Sequence, residues 1–132
     1  MGRIGTGTYD AMEEQYPGLV VGLDSRSETV ENQRANGRNT LLGDATDSEF
    51  WHRLQRKKVQ VVMITLPELK ANLEIVNSLR EISFEGTIAA LAQFEDEIQQ
   101  LQEAGADAVF DTYAESGAGF AGHVKRQIDL NL

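Results

Sequence analysis

A parallel, doubly wound α/β sheet with helices on both faces is predicted by three features of the sequence. Short, nearly continuous apolar runs alternate with helix-length amphipathic stretches. Helix-start signals recur near the ends of those runs, and glycines stand where helices should stop. Uninterrupted apolar strands are what a sheet covered on both faces requires, and β-α alternation implies parallel strands joined by right-handed crossovers.

The elements follow in order. Gly2-Arg3-Ile4-Gly5-Thr6-Gly7 leads into a stretch in which Tyr9, Met12 and Tyr16 recur at helical spacing. The apolar runs are Leu19–Leu23, Thr40–Leu42, Val59–Leu66, Thr87–Ala92 and Ala108–Phe110. Ser25 with Glu28, Thr46 with Glu49, Thr65 with Glu68 and Thr112 with Glu115 have the spacing of a capping box, so each is expected to open a helix. Asn36-Gly37 and Ala104-Gly105 supply helix stops. Leu69, Leu73, Val76, Leu79 and Ile82 form one apolar stripe and Phe120, Val124 and Ile128 another, both expected to face the core. The Glu95-Asp96-Glu97 run suits the start of a helix, Asp47 suits a cap, and Phe50-Trp51 suits packing of the third helix. No linker or repeat interrupts residues 1–132, which read as one domain.

Composition narrows the function. Hydrophobic residues make up 41% and charged residues 25%, a balance that supports one folded core. The absence of cysteine excludes disulfides and thiol chemistry and fits a cytoplasmic setting. A formal charge of −9, with Arg56-Lys57-Lys58 as the longest basic run, disfavours nucleic-acid binding. No apolar run is long enough for direct membrane insertion, and no signal peptide is evident.

The opening residues carry the functional signal. Gly2 and Gly5 match the second and third glycines of a G-x-G-x-x-G dinucleotide fingerprint: the second lets backbone approach a pyrophosphate, the third lets helix pack close to strand. Met1 then falls between the first two glycines, so the first glycine and the first strand are missing from this Rossmann-like pattern. That strand would be central. Its loss should split the sheet unless something replaces it, whether a partner's strand or the Ile128–Leu132 tail. Asp24 ends an apolar run about 20 residues after Gly5, where a carboxylate accepts hydrogen bonds from ribose hydroxyls and repels a 2′-phosphate.

These residues resemble the TrkA-N, or RCK/KTN, domains that regulate potassium channels and transporters. The matching stretches are Gly2–Gly7, Val21-Gly22-Leu23-Asp24, Gly43-Asp44-Ala45-Thr46, Thr65-Leu66-Pro67 with Asn72, and Ala104–Val109. Glu115-Ser116-Gly117-Ala118-Gly119-Phe120 is similar to the cytosolic domains of Kef-type potassium/proton antiporters. The resemblance implies a site made of Gly2, Arg3, Ile4, Gly5, Asp24, Ser25, Arg26, Asp44, Ala45, Thr65 and Leu66. Arg3 would contact phosphate, Asp24 the ribose, and Asp44 with Ala45 the adenine edge, while Thr65 and Leu66 line the far half. Arg26 departs from the family pattern, which often has an acid there. The resemblance further implies NAD(H), AMP, ADP or ATP as ligand, a homodimer, and a potassium channel or antiporter membrane domain as partner at the inner face of the membrane.

Two other readings are weighed against it. An interaction module with a degenerate, empty nucleotide site is compatible with the incomplete fingerprint. An NAD-dependent oxidoreductase fragment needs a substrate domain and a proton-handling residue, and the two lone histidines, His52 and His123, are read as surface or capping residues. The expectation is therefore a regulatory domain without catalytic or metal-binding residues.

Overall fold

The computed structural model describes residues 1–54 and 58–131. Arg56 and Lys57, most of the basic run, lie outside the described residues, as does Leu132. Helices and strands alternate along the chain: α1 (Arg3–Gln15), β1 (Gly22–Asp24), α2 (Ser27–Ala35), β2 (Thr40–Leu42), α3 (Ser48–Leu54), β3 (Val61–Ile64), α4 (Leu69–Glu81), β4 (Thr87–Ala92), α5 (Glu95–Ala104), β5 (Ala108–Asp111) and α6 (Thr112–Asn131). All five strands fall within or against the apolar runs. Gly37 and Gly105 have φ of 83° and 120°, the left-handed conformation that ends a helix cheaply when no Cβ is present.

Every strand pair is parallel, but the sheet is in two pieces. β1 pairs with β2, and β3-β4-β5 form a separate three-stranded sheet. Helix α1 connects the two pieces. The Tyr9 hydroxyl accepts from the Asn39 amide at 2.8 Å, and Arg38 forks onto Asp10 with both bonds at 2.8 Å. On the other side, Gly5 approaches Thr65 at the end of β3. The division of the sheet is as the sequence reading expects. Ile128–Asn131, the described part of the tail, does not repair it, because it continues α6.

The core is correspondingly lopsided. Trp51, Ile64, Ile75, Val76, Leu79, Ile88, Ala90, Ala92 and Leu101 form one buried cluster beneath α3, α4 and α5. Around β1 and β2, the buried apolar side chains are Tyr9 and Val30.

Only one face of the three-stranded sheet is well covered. The register places Met63 beside Ala89 and Ala89 beside Ala108, with Leu91 beside Phe110. On this face Val61, Met63 and Phe110 are about half exposed, whereas Ile64, Ile88 and Ala90 opposite are buried.

The core-facing expectation for the last stripe is corrected here. Phe120 is 72% exposed, and Val124 and Ile128 are exposed as well. Helix α6 follows β5 without a connecting residue and projects beyond the sheet instead of folding back over it. Tyr16, the last residue of the first stripe, is also exposed, since it is the C-cap of α1 and lies past the helix.

The four capping boxes are corrected too. The N-caps of α2 and α4 are Arg26 and Glu68, without a side-chain cap. Asp47 and Asp111 accept from the Glu49 and Ala114 amides at 3.0 and 2.9 Å, so carboxylates one position ahead of α3 and α6 take the capping role. A carboxylate is a stronger acceptor than a hydroxyl, and the negative charge favours the helix dipole.

Candidate functional site

The C-terminal edge of a parallel sheet is where strand ends and helix starts converge. In open α/β folds it is the edge that binds ligands. All eleven residues singled out from the sequence lie along it. Gly2 is the N-cap of α1, followed by Arg3, Ile4 and Gly5 in its first turn. Asp24 ends β1, with Ser25 and Arg26 behind it. Asp44 and Ala45 follow β2, and Thr65 and Leu66 follow β3.

The glycines sit in contrasting surroundings. A Cβ on Gly5 would stand 3.0 Å from the Thr65 hydroxyl and 3.2 Å from the Met1 Cβ, so its small size permits the helix to touch the end of β3. A Cβ on Gly2 would meet nothing within 4 Å, leaving open space in front of the helix start. The orphan amides of that first turn face a region where no acidic residue of the helix opposes an anion.

Asp24 is well held. Its side chain is 9% exposed, and its Oδ1 accepts the Arg26 amide at 2.9 Å and the Arg26 guanidinium at 3.4 Å. The Met1 ammonium pairs with Oδ2. Asp24 and Asp44 are brought close through the backbone, since the Gly43 amide donates to the Asp24 carbonyl at 2.9 Å. Asp44 turns its Oδ1 onto the Thr46 hydroxyl and amide at 2.7 and 2.9 Å, and these bonds hold its pKa below the usual carboxylate value. Ala45 is fixed from beneath: its carbonyl accepts the Trp51 indole N–H at 2.7 Å.

On the β3 side, Ile4, Thr65 and Leu66 are joined around a cavity of about 240 Å³ by Pro67, Leu91, Gln93, Thr112 and Tyr113. Those last five were not singled out as site residues. Pro67 follows β3 like Thr65 and Leu66, and the other four stand at or just past the ends of β4 and β5, where the same strand-end rule applies. A larger space of about 610 Å³, lined by Trp51, Leu79 and Phe84 among others, opens near the starts of β3 and β4, away from this edge. Among the described residues there is no cluster of three or more potential metal ligands. None of the described helices is long and apolar enough to cross a membrane.

Comparison with known proteins agrees with the geometry. The family model for the TrkA-N domain matches residues 1–112. The K(+) efflux antiporter KefB of Alkalimonas amylolytica is 27% identical over 130 residues, covering 98% of this chain, which in turn spans 19% of the antiporter's length. Among solved structures, the NAD(P)-binding domain of an exopolyphosphatase-related protein from Archaeoglobus fulgidus superposes with a TM-score of 0.85 at 23% identity, covering 95% of this chain and 92% of that one. The TrkA-N domain of the inner membrane protein ybaL from Escherichia coli gives 0.78 at 23% identity, covering 92% and 89%. The GsuK channel bound to NAD gives 0.70 at 19% identity, covering 83% of this chain and 20% of the channel. The fold is thus the Rossmann-like one, and the chain belongs to the TrkA-N domain family.

Proposed function

We propose that this chain is a regulatory, non-enzymatic domain that binds an adenine nucleotide and controls potassium transport. The observation that supports the proposal is the open helix N-terminus at Gly2, with Gly5 against Thr65 and with Asp24 at the end of the neighbouring strand. The phosphates would lie before Gly2–Gly5, where Arg3 adds positive charge. The ribose would take over Asp24 Oδ2 from the Met1 ammonium, and adenine would lie against Asp44 and Ala45. A carboxylate at position 24 favours NAD(H) over its 2′-phosphorylated form. NAD(H), AMP, ADP and ATP all offer the adenosine and phosphate that these residues address. The GsuK channel has been solved with NAD and with ADP, which supports this ligand class.

The regulated partner would be a potassium channel or antiporter membrane domain, placing this chain at the cytoplasmic face. Likeness to a K(+) efflux antiporter along 98% of the chain supports that assignment. The signal would pass through a homodimer whose geometry differs between liganded and free states, because one state binds nucleotide better. The half-exposed sheet face of Val61, Met63 and Phe110, with the exposed stripe of Phe120, Val124 and Ile128, offers the apolar surface for such pairing. Replacing Phe120 and Val124 together by glutamate is expected to convert the dimer to monomer in sedimentation. An unchanged sedimentation coefficient would remove α6 from the interface.

A thermal-shift series with AMP, ADP, ATP, NAD, NADH and NADPH tests the ligand. A nucleotide at a hundredfold excess over its dissociation constant stabilises by about 2.7 kcal/mol, and Asp24→Ala is expected to abolish the gain. No shift with any of the six would replace this reading by an empty interaction module. Steady oxidation of NADH by a small ketone or aldehyde would replace it by an oxidoreductase.

A further inference from the structure

We infer that Asn72 is a positioning residue for the far half of this site, required for a dinucleotide and dispensable for a mononucleotide. The inference rests on the adenine-nucleotide reading above.

Asn72 lies in the first turn of α4 and is 2% exposed. The same helix buries Ile75, Val76 and Leu79, so an amide here sits in otherwise apolar surroundings. Its Nδ2 donates to the Leu66 carbonyl at 3.0 Å and to the Leu91 carbonyl at 3.4 Å. Both partners are acceptors, which fixes the orientation of the amide: nitrogen toward the two carbonyls, Oδ1 away from them. That Oδ1 is buried without a protein partner. A half-satisfied buried amide is costly, and the cost is offset only by what its two donated bonds hold in place.

What the amide does in return is join two strand ends. Leu66 stands just past β3 and Leu91 near the end of β4, and both line the 240 Å³ cavity. One donor shared between their carbonyls sets the spacing of these two walls. The cavity lining is neutral, with hydroxyls on Thr65, Thr112 and Tyr113, an amide on Gln93, and apolar Ile4, Leu66 and Leu91. Such a lining suits an uncharged ring with polar substituents better than a further phosphate. The adenosine side, at Asp24 and Asp44, belongs to the other piece of the sheet, and Asn72 makes no hydrogen bond there. Asn72 therefore acts through the backbone on one half of the site alone.

Calorimetric titration of AMP and NADH against the intact chain, Asn72→Ala and Asn72→Ser separates the halves. Asn72→Ala is expected to weaken NADH about tenfold while leaving AMP within about twofold, the scale of losing one or two buried hydrogen bonds. Asn72→Ser, which keeps one donor, should fall between. If the alanine variant does not fold, the serine variant is judged by the same split. Equal losses for both nucleotides, an unchanged NADH affinity, or wild-type binding of AMP without NADH would each overturn the role. Wild-type protein that binds neither nucleotide would refute the nucleotide reading itself, and this inference with it.

Discussion

Truncating Trp51 to alanine is expected to destabilise the protein by about 3–5 kcal/mol, the usual loss when a buried tryptophan leaves a cavity. Trp51 is 7% exposed and belongs to the main buried cluster. It meets Phe50 edge-on, with ring centroids 5.1 Å apart. Its indole N–H is the support beneath the Ala45 carbonyl, so the same side chain joins the core to the loop that follows β2. Trp51→Phe separates the two contributions: it keeps an aromatic ring and removes the donor, for an expected loss of about 1 kcal/mol plus the smaller ring's share. Because this is the only tryptophan, urea unfolding should be followed by far-UV circular dichroism. A loss below about 1 kcal/mol for Trp51→Ala would show that the cluster closes over the gap and that α3 contributes little.

The second large effect comes from adding volume. Gly86→Val is expected to cost about 1–3 kcal/mol or more, and even alanine should be felt. A Cβ at Gly86 would overlap the Gln60 carbonyl oxygen and stand 2.8 Å from its carbon, with the tip of Phe84 at 2.5 Å. The nearest atom is a backbone oxygen, which cannot swing aside as a flexible side chain would. Glycine is what lets the entry of β4 meet the entry of β3, where the Thr87 amide donates to the Gln60 carbonyl at 2.9 Å. A denaturation midpoint for Gly86→Ala within error of wild type would show that the approach relaxes freely. Gly86 does not belong to any motif of the sequence and is informative only once its neighbours are known.

The strands were legible because each lies in or overlaps a short, nearly continuous apolar run, and the helix stops because Gly37 and Gly105 need a left-handed backbone. The near edge of the candidate site carries the plainest marks, Gly2 and Gly5 at the start of α1 and Asp24 and Asp44 at or just past the ends of β1 and β2. Helix starts were less legible. Ser25, Thr46, Thr65 and Thr112 have the spacing of caps; Asp47 reads as a cap and is one, but spacing does not reveal that Asp111 takes the same role at α6. The orientation of α6 was not legible at all. An apolar stripe such as Phe120, Val124 and Ile128 has the same periodicity whether its own sheet or another surface covers it. The cavity walls from Leu91 to Tyr113 were hidden for a related reason: ordinary residues become a site only when three strand ends lie side by side.

The divided sheet has an energetic corollary. Hydrogen bonding across the central gap is what normally makes such a sheet melt as one unit, and among the described residues no ladder bond joins β1 to β3. The β3-β4-β5 piece carries the main buried cluster, whereas the β1-β2 piece relies on Tyr9, Val30 and the polar contacts of α1. The two pieces are therefore free to differ in opening free energy, with the β1-β2 piece at the low end. Its strand ends are the ones that present Asp24 and Asp44. A molecule spanning both pieces would supply cohesion that the backbone does not, so that occupancy and the integrity of the weaker piece become one equilibrium.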